Sequence, residues 1–325
     1  MSLKQEIFDF VETDLLKIEK ALESNLNPYL DLVRDVSSHI LFAGGKRLRP
    51  VLMMLCARLC GCRNGEEVNL STIFEYLHTA TLLHDDIVDG ADTRRGKTVA
   101  HKIWDPATVV LVGDFLLSRT CTIATDTGKL PIIRVITNVT GVMSEGEIQQ
   151  LLNKKRLDLT EDQYMDVIYR KTAVLISAAC QVGGLLADAP ESEVHALSEY
   201  GRHLGIAFQM ADDLLDYVAD PKITGKAVGT DLAEGKLTLP LIYALEKADS
   251  QTRPAMEKII LDEQATDADF SYVVDRIILS GGVDYTNQKA REHVAAAKQC
   301  LDIFPPSPEK DVLLKITDFA VSRDS

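Results

Sequence analysis

Apolar residues recur every three or four positions along most of the chain. In the first segment they are Ile7, Val11, Leu15, Ile18 and Leu22, a spacing that places them on one face of an α-helix. Alternating apolar and polar runs bounded by hairpin turns, which would predict β-strands, are almost absent. The pattern therefore predicts an all-α protein of about ten to twelve helices, each of roughly 12 to 25 residues.

Stretches rich in glycine, proline, asparagine, aspartate or charge interrupt this helical pattern and mark the connections between helices. None of them has the length or the bland composition of an interdomain linker, so we expect a single domain over residues 1–325. The interruptions are residues 61–69, 90–107, 153–162, 187–193, 219–236 and 304–310.

Composition narrows the function classes. The 35 basic and 49 acidic residues give a net charge of -14, which argues against general nucleic-acid binding or electrostatic attachment to anionic lipid. Six cysteines are scattered, and the close group Cys56, Cys60 and Cys62 lacks the partners of a zinc site. The first twenty residues lack a signal-peptide layout, and we find no apolar run of about 20 residues. From these two observations we expect a cytoplasmic protein without an integral membrane segment.

Two apolar helical stretches carry the same cluster of acids. TLLHDDIVDG (81–90) and GIAFQMADDLLDY (205–217) each contain a DDxxD pattern. Carboxylate oxygens are hard ligands that suit Mg²⁺, which completes its shell with water and with phosphate oxygens of a substrate. Two such clusters that face each other predict a phosphorylated substrate held between them. The acids are Asp85, Asp86, Asp89, Asp212, Asp213 and Asp216.

Basic residues near helix ends and in glycine-containing loops fit the same anionic substrate. No GxxxxGK[ST] loop accompanies them, which disfavours kinase or ATPase chemistry, and no Ser–His–Asp or Cys–His grouping suggests a nucleophile. A diphosphate that leaves with the help of a metal needs neither. The basic residues are Lys46, Arg47, Arg49, Arg94, Arg95, Lys171, Lys226 and Lys236.

Several ordered motifs together resemble the trans-polyprenyl diphosphate synthases. The resemblance implies a Mg²⁺-dependent prenyltransferase that joins isopentenyl diphosphate to an allylic diphosphate. It also implies one large orthogonal helical bundle of the isoprenoid synthase type around a deep central cavity, and a homodimer. The motifs are GGKRLRP (44–50), LHTATLLHDDIVDGADTRRG (77–96), GDFLLSR (113–119), YRKTA (169–173), GIAFQMADDLLDY (205–217) and GKAVGTDLAEGKLTLPLI (225–242).

The same resemblance implies roles for individual residues. The six aspartates would hold three Mg²⁺ on the allylic diphosphate, and Lys171 is expected to act with them in catalysis. Further contacts to the allylic substrate would come from Arg94, Lys171, Thr172, Gln209, Lys226 and Lys236. Isopentenyl diphosphate would be bound by Lys46, Arg49, His78 and Arg95.

Product length is expected to depend on the residues one and two turns before the first aspartate motif. In the family, bulky aromatic residues there stop elongation early, whereas this chain has Ala80 and Thr81, with Leu77 about one turn and Phe74 about two turns further back. We therefore expect products of more than about twenty carbons, of the octaprenyl type that supplies quinone side chains. The tunnel floor stays open between Phe74 and residues such as Ile136, Val139 or Met143.

Alternatives stay open at this point. Ala80 and Thr81 also suit ordinary tight helix packing, and a shorter-chain farnesyl or geranylgeranyl diphosphate synthase is the alternative within the family. From another class, Glu75 and His78 form one Glu-x-x-His pattern of a di-iron helical bundle, which needs two. His78 also suits a purely structural histidine. A last alternative is a noncatalytic partner subunit of a heteromeric synthase.

Overall fold

The computed structural model describes residues 2–94, 96–218 and 230–322. These residues are almost entirely helical, and the only strands among them are two of two residues each, which pair antiparallel. The prediction of an all-α protein is therefore confirmed. Helix lengths spread more widely than predicted, because several helices are shorter than 12 residues and one reaches 28 residues.

The chain forms two compact units, each assembled from three separate stretches. Unit 1 comprises the described residues of Met1–Thr140, Ala178–Ser198 and Ile303–Leu313. In it, α4 packs against α1, α3 and α5. Its complete elements are α1 (Leu3–Leu26), α2 (Asp31–Leu41), α3 (Leu48–Leu59), α4 (Glu66–Val88), β1 (Thr93–Arg94), β2 (Lys97–Thr98), the 3₁₀ helix Ala100–Lys102 and α5 (Pro106–Asp126).

Unit 2 comprises the described residues of Gly141–Ser177, Glu199–Asp302 and Leu314–Ser325. Its elements, together with helices that begin or end in unit 1, are α6 (Leu130–Asn153), α7 (Glu161–Ile168), the π-helix Tyr169–Ala173, α8 (Val174–Leu186), α9 (Glu191–Val218), α10 (Thr230–Ala233), α11 (Leu239–Lys247), α12 (Thr252–Leu261), α13 (Asp267–Leu279), α14 (Gly282–Cys300) and α15 (Pro308–Val321). In it, α11 packs against α7, α13 and α14. The single domain expected over residues 1–325 stays a prediction, as does the central cavity.

The start of α7 follows from local sequence. The Thr160 hydroxyl accepts a hydrogen bond from the Gln163 backbone N–H at 3.3 Å, and the Gln163 side chain accepts one from the Thr160 N–H at 3.1 Å. This reciprocal capping satisfies two backbone donors that a helix start leaves open. The helix therefore begins at a defined residue, which matters because α7 carries a tyrosine that reaches the second aspartate motif.

Helix α5 is long and apolar enough to cross a membrane by length and composition. One such helix is weak evidence for a membrane span, and the absence of an integral membrane segment stays a prediction. A helix packed inside a protein passes the same test. Here α5 lies against α4, and its Arg119 guanidinium donates a hydrogen bond to the Asn25 carbonyl of α1. These contacts make α5 a packed helix of unit 1.

Candidate functional site

The first aspartate motif ends helix α4. The N–H of Ala91 donates to the Asp86 carbonyl at 3.0 Å and that of Gly90 to the Ile87 carbonyl at 3.3 Å, while Gly90 has a φ of 63°. This is a Schellman end, in which a glycine takes the left-handed conformation that side chains disfavour. The chain therefore reverses directly after Asp89 and returns through the short hairpin of β1 and β2.

The hairpin returns Arg94 to the middle aspartate of the motif. Arg94 Nε donates to Asp86 Oδ1 at 2.7 Å. His39 of α2 holds the other strand, because its Nε2–H donates to the Thr98 carbonyl at 2.8 Å. Asp86 is only 2% exposed, and its Oδ2 is buried and has no hydrogen-bond partner among the residues that the structure describes. A buried, unpaired carboxylate oxygen is costly, and a bound cation would satisfy it.

Helix α5 approaches the first motif closely at Gly113. A Cβ at this position would lie 2.3 Å from His84 Nε2, and His84 directly precedes Asp85. The His84 Nε2–H donates to the Val110 carbonyl at 3.1 Å. The glycine of the GDFLLSR motif therefore serves close packing of α5 against α4, at the turn that carries the aspartates.

The GGKRLRP motif uses its first arginine for structure. Arg47, at a φ of 47°, precedes α3 and is 3% exposed. Its guanidinium donates to Glu19 at 2.6 Å and to Glu75 at 2.7 Å. The sequence pattern places Arg47 among the anion-binding cations, and these pairings correct that prediction. Glu75, which the di-iron alternative needs as a metal ligand, is instead paired with Arg47.

The second aspartate motif lies on α9 in unit 2. Asp212 is exposed and Asp216 is half-buried, whereas Asp213 is only 5% exposed. The Tyr164 hydroxyl donates to Asp213 Oδ2 at 2.6 Å and Gln209 Nε2 donates to Asp213 Oδ1 at 2.7 Å. Burial, reinforced by the charge of Asp231, raises the pKa of Asp213 to about 7 against these hydrogen bonds.

The YRKTA motif forms a π-helix, Tyr169–Ala173. Its wide turn is a feature often found at functional sites. The Thr172 hydroxyl donates to Gln209 Oε1 at 2.8 Å, and Lys171 Nζ pairs with Glu147 at 2.8 Å. Gly205 allows α9 to pack closely against the π-helix, since a Cβ at this position would lie 2.5 Å from the Ala173 Cα. The structure thus brings Thr172, Gln209 and the second motif together.

The segment after the second motif returns to its last aspartate. The N–H of Asp231 donates to Asp216 Oδ2 at 3.0 Å. Lys236 Nζ lies 2.5 Å from a Glu234 oxygen and 3.9 Å from an Asp231 oxygen. Lys236 is therefore connected to Asp216 through Asp231. Two other predicted contacts, Lys226 and Arg95, lie outside the described residues.

The remaining predicted residues lie in unit 1. Lys46 is exposed, while Arg49 and His78 are half-buried. Ahead of the first motif on α4, three chain-length candidates are fully buried and Thr81 is half-buried. The buried three are Phe74, Leu77 and Ala80.

Within the described residues, no group of three or more histidine, cysteine or acidic side chains is placed to hold a metal ion. The position of the first aspartate motif relative to the second stays a prediction.

Comparison with known proteins identifies the family. Residues 30–277 match the family model of polyprenyl synthetase. The chain belongs to this family. It is 38% identical over 321 residues to octaprenyl diphosphate synthase of Escherichia coli strain K12, covering 98% of this chain and 99% of that one.

Solved structures of the polyprenyl synthetase family have the same fold. One is a polyprenyl synthase from Caulobacter crescentus CB15 complexed with calcium and isoprenyl diphosphate, with a TM-score of 0.93, 37% identity, and coverage of 100% of this chain and 98% of that one. Another is a decaprenyl diphosphate synthase from Rhodobacter capsulatus, with a TM-score of 0.93, 37% identity and 98% coverage of both chains. The resemblance drawn from the motifs is confirmed.

Sequence reasoning missed three residues of the candidate site. Tyr164 and Gln209 bind Asp213, but only Gln209 was predicted. Glu147 pairs with Lys171, and Asp231 connects Asp216 with Lys236. The one signal for Tyr164 was its place on the helical stretch that leads into the YRKTA motif. Glu147 lies 24 residues before its partner and left no signal in the pattern.

Proposed function

We propose that this protein is a long-chain trans-polyprenyl diphosphate synthase, which joins isopentenyl diphosphate to an allylic diphosphate and releases diphosphate. The observation that carries the proposal is the repeated motif geometry. In each DDxxD, the middle aspartate is buried and bound by protein donors while its neighbours stay partly or fully exposed. The octaprenyl and decaprenyl relatives support a long product.

We propose Mg²⁺ as the cofactor, with three ions per site. Asp85, Asp89, Asp212 and Asp216 would supply the accessible carboxylates, and Asp86 would add its unpaired Oδ2. Carboxylate oxygens are the donors that Mg²⁺ prefers, and the Caulobacter crescentus relative was solved with calcium, another hard divalent cation. Bound Mg²⁺ would stabilise the charge that develops on the departing diphosphate.

Basic side chains of the chain would also stabilise the negative charge of the diphosphate. We propose that Arg94, Lys171 and Lys236 contact the allylic diphosphate, with Lys226 joining them. In the structure Lys171 is paired with Glu147 and Lys236 with Glu234. On substrate binding, each lysine would leave its glutamate and contact the diphosphate instead. Cations aimed at a leaving group act most strongly where water is excluded. The fully buried α4 residues ahead of the first motif would keep water from the carbocation.

We propose Lys46, Arg49, His78 and Arg95 as the contacts to isopentenyl diphosphate. Lys46 and Arg49 flank the buried Arg47, whose pairs with Glu19 and Glu75 fix the start of α3. A rigid backbone between two cations would favour a defined anion position.

We propose that Ala80 and Thr81 leave room for a long prenyl chain beside α4, with Leu77 and Phe74 further along it. A product of the octaprenyl type, used for quinone side chains, is our expectation. Ala80, Leu77 and Phe74 are fully buried, which suits an apolar tunnel wall. The tunnel floor stays open between Phe74 and the α6 residues Ile136, Val139 and Met143.

We further propose that the protein is a cytoplasmic homodimer. Helix α5 exposes Val110 and Leu111, the latter 66% exposed, although it is the most apolar long helix described. Burying such a surface against a second copy is favourable. Light scattering after gel filtration would measure the mass, and Leu111→Glu should shift it toward the monomer. A monomeric native chain would contradict the dimer.

The decisive experiment is product analysis. The purified chain is incubated with Mg²⁺, isopentenyl diphosphate and farnesyl diphosphate, and the masses of the products are measured by mass spectrometry. We expect a ladder that ends well beyond twenty carbons, absent in the Asp85→Asn variant. A ladder that stops at twenty carbons would favour the geranylgeranyl alternative. No product from any allylic primer would favour a noncatalytic partner subunit.

A further inference from the structure

Both carboxylate oxygens of Asp213 accept hydrogen bonds from protein side chains. The Tyr164 hydroxyl donates to Oδ2 at 2.6 Å, Gln209 Nε2 donates to Oδ1 at 2.7 Å, and the side chain is buried. The middle aspartate of the first motif differs, because Asp86 Oδ2 accepts no hydrogen bond from the described part of the chain. The two motifs therefore have the same sequence pattern but differ in the hydrogen bonds that their middle aspartates accept.

Tyr164 is built to hold its position. It is 3% exposed, and it lies in the buried apolar cluster that also contains Ile168, Met210 and Tyr217. Helix α7, which carries it, starts at the capping box of Thr160 and Gln163. A hydroxyl that donates to a buried carboxylate at 2.6 Å makes a strong, charge-assisted hydrogen bond. Tyr164 therefore presents a fixed donor to α9.

The hydrogen bonds continue from Asp213 to the π-helix. Gln209 donates to Asp213 with its amide nitrogen and accepts from the Thr172 hydroxyl with its amide oxygen. Thr172 directly follows Lys171 in the π-helix. The chain Tyr164, Asp213, Gln209 and Thr172 thus joins α7, α9 and the π-helix through side chains whose donors and acceptors all match.

From this geometry we infer that Tyr164 is a positioning residue, which fixes Asp213 as a buried anchor so that Asp212 and Asp216 are presented to the metal. This inference rests on the proposed metal role of Asp212 and Asp216. Asp212 is the direct neighbour of the anchor and Asp216 lies three residues beyond it, so a shift of α9 at Asp213 moves both. Loss of the Tyr164 hydroxyl leaves a buried carboxylate one donor short, and α9 must adjust.

The test is the Tyr164→Phe variant of the full chain, which removes only the hydroxyl. The binding of Mn²⁺ in the presence of inorganic diphosphate is followed by electron paramagnetic resonance. We expect the dissociation constant to rise about tenfold or more, since the lost bond is to a charged group. In steady-state kinetics the Mg²⁺ concentration for half-maximal rate should rise likewise, while the KM for isopentenyl diphosphate stays within about twofold of the native value.

The chain offers a matched control. The Tyr285 hydroxyl donates to Glu161 Oε2 at 2.6 Å, and Glu161 lies on α7 three residues before Tyr164. Tyr285→Phe therefore removes a tyrosine–carboxylate hydrogen bond of the same length and on the same helix, with no acceptor in the aspartate motif. We expect its Mn²⁺ binding to match that of the native chain.

The outcomes are distinguishable. Asp212→Asn should abolish Mn²⁺ binding at the second motif. If it does so and Tyr164→Phe binds like the native chain, the positioning role is overturned while the proposed metal site stands. Unchanged binding in Asp212→Asn overturns both. If Tyr164→Phe fails to fold, 4-aminophenylalanine at position 164 keeps a donor, and native-like binding supports the inference whereas a tenfold loss overturns it.

Discussion

Arg94 holds Asp86 from a hairpin that begins only four residues after the aspartate motif ends. The Nε–Oδ1 distance is 2.7 Å, and the arginine side chain is one-third exposed while the aspartate is buried. Removing the cation leaves a buried carboxylate unpaired, and that loss costs more than an exposed ion pair contributes. The pair therefore supports the end of α4 on which Asp85 and Asp89 lie.

We expect Arg94→Gln to lower the free energy of unfolding by about 1–3 kcal/mol, measured by urea unfolding without metal. The double variant Arg94→Gln with Asp86→Asn should lose less than the sum of the two single variants, because the unpaired charge is then gone. Arg34→Gln is the control. Its pair with Asp31, at 2.9 Å, is exposed, so a change below about 1 kcal/mol is expected. Additive single effects would contradict the coupling.

Gly113 yields a second prediction. A Cβ at this position would lie 2.3 Å from His84 Nε2, so Gly113→Ala must displace the His84 side chain from its hydrogen bond to the Val110 carbonyl, beside Asp85. We expect a loss of about 0.5–1.5 kcal/mol in the free energy of unfolding, the usual net contribution of one hydrogen bond, together with lower activity. Thermal and urea unfolding and the product assay measure both effects.

Gly141→Ala is the matched control for Gly113→Ala. Gly141 lies inside α6, and a Cβ there would meet nothing within 4 Å. Alanine has the higher helix propensity, so this variant should be neutral or up to about 1 kcal/mol more stable. Equal destabilisation by both substitutions would show that the glycine effect is one of helix backbone and not of the contact with His84.

Much of the fold and part of the site could be predicted from sequence, for a physical reason. Helical periodicity and the DDxxD spacing are local patterns, so the helices and the aspartates on them follow from neighbouring residues. The pairing of Tyr164 with Asp213 spans 49 residues, and that of Arg47 with Glu19 spans 28 residues. Such pairs depend on tertiary packing, which periodicity does not encode. For that reason Arg47 was grouped with the anion-binding cations.

The π-helix shows the same limit within one element. YRKTA follows the helical pattern of α7 without a glycine or proline, so the sequence predicts a continuous α-helix across it. The structure widens the turn at Tyr169–Ala173, where Gly205 of α9 comes close to Ala173. The widened turn is thus associated with a tertiary contact, and the motif was identified only because the family shares it.

The paired histidines of unit 2 predict a pH dependence of stability. His203 Nδ1 and His293 Nδ1 lie 2.8 Å apart, and Arg202 lies 2.9 Å from His203 Nε2. Burial and the neighbouring Arg202 lower the pKa of His203, while burial and His203 lower the pKa of His293 to about 4. Glu199, Lys289 and Glu292 also face the pair, and the two acids oppose the shift.

Both pKa values are lower in the folded chain than in the unfolded chain, so the folded state binds fewer protons. The contribution of the two neutral histidines to the free energy of unfolding is therefore fully present above a pH of about 6.5. It is lost as the pH falls below that value. Between pH 7.5 and pH 5 we expect a loss of about 1–2 kcal/mol from His293, reduced by solvent screening. His293→Gln should flatten the dependence measured by urea unfolding. His195→Gln, at an exposed site on α9, the helix that carries His203, should keep it.

Ala80 tests the proposed tunnel. It is fully buried on α4, five residues before Asp85, so a larger side chain there either fills the space for the growing prenyl chain or strains the helix packing. A graded series, Ala80→Val, Ala80→Leu and Ala80→Phe, separates the two. If Ala80 lines the tunnel, the longest product should shorten step by step with side-chain volume while activity on a short allylic primer is retained. Mass spectrometry of the products measures this. Loss of activity in parallel with a falling melting temperature, at unchanged product length, would instead place Ala80 in ordinary helix packing.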